Sequence, residues 1–126
     1  MKSIETCTAE IFLYDTSIVW QKYKKGIEIG AEDIRKNTSA SLKLTGGKRH
    51  SAILDTRDKD VSITNAALKL GASKAVTKDR FATAHLTTSL SGKLFGNLFM
   101  KFFKPKIKNK MFTDEKEAIA WLKTFS

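Results

Sequence analysis

Cysteine and proline are almost absent from the sequence, with one of each among 126 residues. The single cysteine, Cys7, cannot form an internal disulfide, which argues against a disulfide-stapled secreted domain and fits a reducing compartment. No window approaches the roughly 20 apolar residues of a membrane span, and the first residues lack the unbroken apolar stretch of a signal peptide. We therefore expect a cytoplasmic protein.

Acidic residues are also scarce: there are 13 of them against 23 lysines and arginines, so the net charge is +10. The excess is +2 over residues 1–62 and +8 over residues 63–126, and six lysines but no acid lie from Lys93 to Lys110. Such a patch attracts polyanions, meaning nucleic acid, acidic lipid or an acidic protein. The alternative interpretation is the ordinary lysine-rich surface of a cytoplasmic domain.

Apolar residues make up 41% of the chain, enough for one buried core, so we expect a single domain over residues 1–126. Runs rich in β-branched and aromatic residues predict strands at 9–15, 18–23, 51–55, 81–86 and 107–112. Apolar spacing and capping residues predict helices over 31–44, from Ser62 or Thr64 through Leu70, from Thr88 or Ser89 to about Phe103, and from Thr113 onward. The order ββαβαβαβα predicts an α/β domain with a mixed, mainly parallel sheet and covering helices.

Asp55 ends a short apolar strand, and open α/β sheets place ligands at the carboxyl ends of their strands. With Arg57, Ser62 and Thr64 expected nearby, this edge is a candidate for partner binding or regulation. A phosphate on Ser62 or Thr64 would meet the free N–H groups and favourable dipole of a helix N-terminus. In the structural alternative, Asp55 binds loop amides and the hydroxyls only cap the helix.

The segment from Leu90 to Phe103 carries more apolar surface than one core contact needs, in two adjacent helical stripes. The stripe residues are Leu94, Phe95, Leu98, Phe99, Phe102 and Phe103. The surplus suits a dimer interface, a partner surface, a lid over an apolar ligand or a membrane-contacting face, and the alternative is core packing. A basic patch follows, and its members are Lys101, Lys104, Lys106, Lys108 and Lys110.

Signatures of catalysis are missing from the sequence. The run Leu44-Thr-Gly-Gly-Lys-Arg49 resembles a phosphate-binding loop, but Leu42 stands where its first glycine is required. His50 and His85 lack Cys or Glu companions at metal-ligand spacing, and no nucleophile–base pair stands out. We predict no enzymatic activity, no catalytic residue, no cofactor and no metal.

Several segments together resemble the STAS family of anti-sigma-factor-antagonist-like domains, and within it the SpoIIAA-like (STAS/SEC14-like) branch of small stand-alone bacterial proteins. They are the strand Ala52-Ile53-Leu54-Asp55 with its following loop and capped helix, the run LFGNLFMKFFKP over 94–105, and the run MFTDEKEAIAWL over 111–122. The resemblance spans nearly the whole chain and implies a non-enzymatic interaction domain. In the antagonists, a serine at the start of the second helix is phosphorylated within an Asp-Ser-Ser-Gly cluster. Here Val61-Ser62-Ile63-Thr64-Asn65-Ala66 occupies that region without Ser-Ser-Gly.

Three functional hypotheses follow. The first is a regulatory or interaction domain that binds a protein partner and self-associates as a homodimer through the phenylalanine-rich segment. The second, suggested by the SEC14-like kinship, is a carrier or sensor of an apolar or lipid-like ligand. The third is a basic protein that binds nucleic acid or acidic membrane.

Overall fold

A six-stranded mixed sheet forms the centre of the computed structural model, which describes residues 3–57, 60–88, 104 and 106–125. The strands are β1 (Ser3–Glu5), β2 (Ala9–Asp15), β3 (Ile18–Tyr23), β4 (Glu28–Ile29), β5 (His50–Asp55), β6 (Ser62–Ile63), β7 (Arg80–Leu86) and β8 (Lys108–Phe112). The helices are α1 (Ala31–Thr45), α2 (Asn65–Gly71), α3 (Lys74–Thr77) and α4 (Glu115–Leu122). The main sheet has the order β1-β2-β3-β5-β7-β8, and β4 pairs with β6 in a separate two-stranded sheet.

The main sheet changes from antiparallel to parallel at β3. β1, β2 and β3 form an antiparallel meander, whereas the β3–β5, β5–β7 and β7–β8 pairs are parallel. Asp15 closes the β2–β3 turn, because its Oδ1 accepts a hydrogen bond from the backbone N–H of Ser17 at 2.9 Å. The predicted α/β class with a mixed, mainly parallel sheet is confirmed.

Side chains are buried on both faces of the sheet. One face, which we call the α4 face, packs against α4, and the other, the α1 face, packs against α1 and α2. The α4 face has a core of Ile18, Trp20, Ile53, Ala82, Ala84, Leu86, Phe112, Ala118 and Leu122. The core of the α1 face contains Ala9, Ile11, Val19, Tyr23, Ile29, Ala40, Leu44 and Ala67.

The α1 face also buries a chain of polar side chains. Asn37 Nδ2 donates to Thr8 Oγ1 at 3.1 Å, and Gln21 Nε2 donates to Ser41 Oγ at 3.2 Å. The Tyr23 hydroxyl donates to Gln21 Oε1 at 2.8 Å. The polar residues that make α1 a weak helix former by propensity thus supply hydrogen-bond partners inside the fold, where an unpaired polar group would be costly.

Several elements differ from the sequence prediction. β1, β4, β6 and α3 were not predicted, because runs of two to four residues are too short to show a hydrophobic period. The last helix begins at Glu115 rather than at Thr113, since Asp114 is its N-cap and accepts from the backbone N–H of Glu117 at 3.3 Å. The helix predicted to end near Phe103 falls on residues 89–103, outside the described residues. Within the part of the chain that is described, no helix is both long and apolar enough to cross a membrane.

Candidate functional site

Asp55 lies at the edge where the parallel strands end, which we call the carboxyl edge. Its side chain is 1% exposed and points to the α4 face. Oδ2 accepts hydrogen bonds from Trp20 Nε1 at 3.1 Å and from Arg57 Nη2 at 3.0 Å. Oδ1 accepts from the Arg57 backbone N–H and from Arg57 Nε, both at 3.1 Å. The carboxylate is therefore held by four donors, and two of them belong to the forked guanidinium of Arg57.

Arg57 connects Asp55 to the start of α4. Its Nη2 donates to Glu115 Oε2 at 3.2 Å, and its side chain is 28% exposed. The hydrogen bonds that Arg57 donates to Asp55, together with the one to Glu115, raise the pKa of Arg57 against the effect of burial. Burial acts to raise the pKa of Asp55, but the hydrogen bonds from Arg57 and Trp20 outweigh it and hold the pKa below its ordinary value. Asp55 is therefore ionised at neutral pH and acts as an acceptor.

Trp20 and Glu115 belong to this network but were not among the predicted site residues. Trp20 is 35 residues from Asp55 along the chain, and the contact depends on the β3–β5 register, in which Trp20 is opposite Ile53. For Glu115 there was a usable signal. A helix that follows a parallel strand begins at the carboxyl edge, so the first turn of the last helix was due to lie on the same side as Asp55.

Ser62 and Thr64 were predicted to lie near Asp55, but their hydrogen bonds lead elsewhere. The backbone N–H groups of Ser62 and Thr64 donate to Ile27 O and Ile29 O, both at 3.0 Å. Thr64 is the N-cap of α2, and its Oγ1 accepts from the Ala67 N–H at 3.1 Å. Within the described residues neither side chain hydrogen-bonds to Asp55 or Arg57, so of the predicted partners of Asp55 only Arg57 is joined to it directly.

The Thr64 cap gives a first prediction. Thr64→Ala removes the acceptor for the Ala67 N–H, and we expect it to lower the free energy of unfolding by about 1 kcal/mol in urea denaturation. Thr64→Ser keeps the hydroxyl and serves as the control, and we expect no loss of capping because serine caps helices at least as well as threonine. A Thr64→Ser loss equal to that of Thr64→Ala would contradict the capping role.

Three of the described helices begin at the carboxyl edge, and each has a cap from its own sequence. Asp33 Oδ2 accepts from the Gly30 N–H at 2.9 Å at the start of α1. Thr64 caps α2 and Asp114 caps α4. These side chains accept hydrogen bonds from N–H groups that could otherwise bind an anion, so the caps stabilise the helix starts.

The basic patch is described only in part. Lys104, Lys106, Lys108 and Lys110 are exposed, and the last two belong to β8, an edge strand of the main sheet. The ammonium of Lys110 lies 5.4 Å from the centre of the Phe112 ring. Lys101 and the predicted apolar surface formed by Leu94, Phe95, Leu98, Phe99, Phe102 and Phe103 lie outside the described residues.

At the carboxyl edge the buried carboxylate of Asp55 is engaged by the four donors from Trp20 and Arg57. Over the described ranges, no group of three His, Cys, Asp or Glu side chains is placed to hold a metal ion. The accessible groups are the outer face of Arg57 and the carboxylate of Glu115, which together present a fixed pair of opposite charges.

Comparison with solved structures identifies the fold as SpoIIAA-like. An uncharacterized protein of the DUF3478 family from Shewanella loihica PV-4, described as having a SpoIIAA-like fold, matches with a TM-score of 0.57 and 17% sequence identity. The match covers 95% of this chain and 89% of that one. The chain itself belongs to a family described as a domain of unknown function, DUF7793, whose model matches residues 12–126. A search of the curated proteins finds no match.

Proposed function

We propose that this protein is a non-enzymatic regulatory or interaction domain that binds a protein partner at the carboxyl edge. The observation that carries the proposal is the Asp55–Arg57–Glu115 network within a SpoIIAA-like fold. Buried Asp55 fixes Arg57 in one orientation, so the guanidinium and Glu115 meet a partner without first losing side-chain freedom. Such preorganisation favours specific docking.

The proposed docking surface includes Ser62, which is exposed and precedes the capped start of α2. We place the protein in the cytoplasm as a single domain, where the lone Cys7 stays reduced. Self-association through the phenylalanine-rich segment belongs to the same proposal.

The proposal is tested by affinity capture from native cells with tagged wild-type protein, Ser62→Arg and Ser3→Arg. Both serines are exposed on strands, but only Ser62 belongs to the proposed surface, so Ser3→Arg is the matched control. We expect a specific protein that stays bound at high salt, with recovery reduced at least about tenfold by Ser62→Arg. Equal recovery with Ser62→Arg and wild type would contradict docking at this edge.

A second candidate function is polyanion binding, which is favoured by the four exposed lysines of the β8 region, Lys104, Lys106, Lys108 and Lys110. The same capture experiment separates the two functions. Nucleic acid or acidic lipid that is released as salt is raised would indicate that these lysines form the functional surface. Native mass spectrometry of the purified protein tests the carrier alternative, since a carrier retains a bound apolar molecule.

A further inference from the structure

Two buried cationic or proton-binding side chains lie next to each other at the opposite edge of the sheet, which we call the amino edge. His50 begins β5 and Arg80 begins β7, and the two residues are paired in the parallel register of these strands. The His50 backbone N–H donates to Asp79 O at 3.0 Å, which ties the two strand starts together. The register of β5 and β7 shifts between His50 and Ala52, so the face of Arg80 follows from its contacts. Arg80 Nη1 contacts Thr83 and its charge acts on Tyr23, a member of the α1-face core, while His50 alternates along β5 with Leu54, which packs on that core. Both side chains therefore lie on the α1 face.

Arg80 is a buried cation. Its side chain is 6% exposed, and within the described residues its one hydrogen bond is a long contact of 3.5 Å from Nη1 to Thr83 Oγ1. Among the described residues no carboxylate forms an ion pair with it.

His50 presents an unpaired nitrogen in the same place. The residue is 2% exposed, and its Nδ1 lies 3.0 Å from Lys48 O. A carbonyl oxygen only accepts, so Nδ1 carries the proton and Nε2 of the neutral ring is an acceptor. Nε2 is buried and has no hydrogen-bond partner within the described part of the chain. Burial holds the pKa of His50 below its ordinary range, and the charge of Arg80 acts in the same direction.

Each of these unsatisfied groups is costly, since a buried charge without a partner and a buried acceptor without a donor both lose their hydration. The two groups need opposite kinds of hydrogen-bond partner. The guanidinium fork needs oxygens that accept, whereas His50 Nε2 needs a group that donates. A hydrogen phosphate group carries both, because its anionic oxygens accept from Arg80 while its hydroxyl donates to His50.

We propose that His50 and Arg80 form a binding site for a hydrogen phosphate group, supplied by inorganic phosphate or by a small phosphate monoester. The surrounding charge supports this ligand class, because the exposed cations Lys48, Arg49 and Lys78 beside these strand starts outnumber the carboxylate of Asp79, whose charge also acts on His50. The small exposed fraction of Arg80 restricts the site to a small ligand. This site is independent of the docking surface at the carboxyl edge.

The experiment compares inorganic phosphate, methyl phosphate, sulfate and chloride at matched ionic strength. In urea denaturation, phosphate at ten times its dissociation constant lowers the unfolding equilibrium constant about tenfold for the wild type. Sulfate has no proton at neutral pH and gives a smaller effect. In nitrogen NMR of the wild type, phosphate shifts the His50 Nε2 resonance more than chloride does at the same ionic strength. The methyl phosphate arm distinguishes a monoester site from a site for free phosphate.

Arg80→Met and His50→Phe remove the two groups, and Arg49→Met is the matched control, since Arg49 is exposed and stacks on the Phe81 ring at 4.7 Å. Arg80→Met places an apolar chain of similar length where a charge was unpaired, so the variant folds and is no less stable than the wild type in phosphate-free buffer. The phosphate effect disappears in Arg80→Met and His50→Phe and persists in Arg49→Met.

Three results would overturn the proposal. One is a phosphate effect no larger than that of chloride. Another is an effect that survives Arg80→Met, which would put the ligand elsewhere. The third is sulfate acting as strongly as phosphate with His50→Phe unaltered, which would leave His50 without a role. The NMR measurement uses only the wild-type protein, so it tests phosphate binding at His50 even where a variant fails to fold.

Discussion

Replacing Arg57 with methionine lowers the free energy of unfolding by about 3 kcal/mol at neutral pH. The reason is that Asp55, at 1% exposure, keeps its charge but loses the two hydrogen bonds that the guanidinium of Arg57 donates to it. Only the backbone N–H and the Trp20 indole remain to satisfy it. Breaking a buried ion pair from one side costs about 3–5 kcal/mol, and the 28% exposure of Arg57 places this case near the lower limit. Urea denaturation followed by tryptophan fluorescence measures the change.

The stability difference between the wild type and Arg57→Met also depends on pH, in a direction that follows from the pKa of Asp55. In the wild type the folded-state pKa of Asp55 is lowered, so its contribution to stability is present above the unfolded-state value of about 3.9 and is lost as pH falls through the folded value. In Arg57→Met the burial that raises the pKa is no longer outweighed, and folding then favours the protonated carboxyl. Because the unfolded-state pKa of Asp55 is the same in both proteins, their difference in stability depends only on the two folded-state values. It is therefore largest at neutral pH, begins to shrink as the pH falls through the raised pKa of the variant, above about 3.9, and goes on shrinking down to the lowered pKa of the wild type.

The control is Arg35→Met, which removes an arginine with 61% side-chain exposure from a 3.5 Å pair with Glu32. An exposed pair of this kind contributes at most about 1 kcal/mol. The double variant Asp55→Asn/Arg57→Met removes both charges, and we expect it to be more stable than Arg57→Met alone. If Arg57→Met costs no more than Arg35→Met, the network does not hold Asp55 in place.

The difference between what could be predicted and what could not is clear in β2, β3 and β5. The bounds of β2 and β3 were predicted because each strand is a run of β-branched and aromatic residues and Asp15 begins a turn with a known side-chain hydrogen bond. β5 was predicted to begin at residue 51 instead of His50. The polar imidazole gives no apolar signal, although it is buried.

The contacts of the candidate site needed information that local patterns do not contain. Asp55 and Arg57 are two residues apart, so their proximity followed from the chain itself. The bond from Arg57 to Glu115 joins residues 58 positions apart and depends on β7 and β8 being parallel neighbours. Gln21 was equally hidden, because a glutamine inside a strand indicates a solvent position unless its partner on α1, Ser41, is known.

Packing of α4 on the sheet gives the second large prediction. The helix has eight residues, too few for stability on its own, so it depends on the sheet beneath it. Leu122 and Ala118, at 1% and 0% exposure, are its contacts with the core of the α4 face. Leu122→Ala removes three heavy atoms from that core and leaves a cavity, and we expect it to lower the free energy of unfolding by about 2–5 kcal/mol in urea denaturation.

Leu122→Ala is also expected to affect the carboxyl edge, because α4 carries Glu115. Glu115 reaches Arg57 only while the first turn of the helix is docked, so a loosened α4 weakens the Arg57–Glu115 bond at the carboxyl edge. Leu122→Ala is therefore expected to speed amide exchange in α4 more than in β5. Leu122→Met nearly conserves volume and costs less than about 1.5 kcal/mol, and Lys116→Ala, on the exposed side of the same helix, changes stability by less than about 0.5 kcal/mol. A Leu122→Ala loss as small as that of Lys116→Ala would show that the sheet does not need α4 for its stability, and the docked Glu115 could then not be a fixed part of the proposed surface.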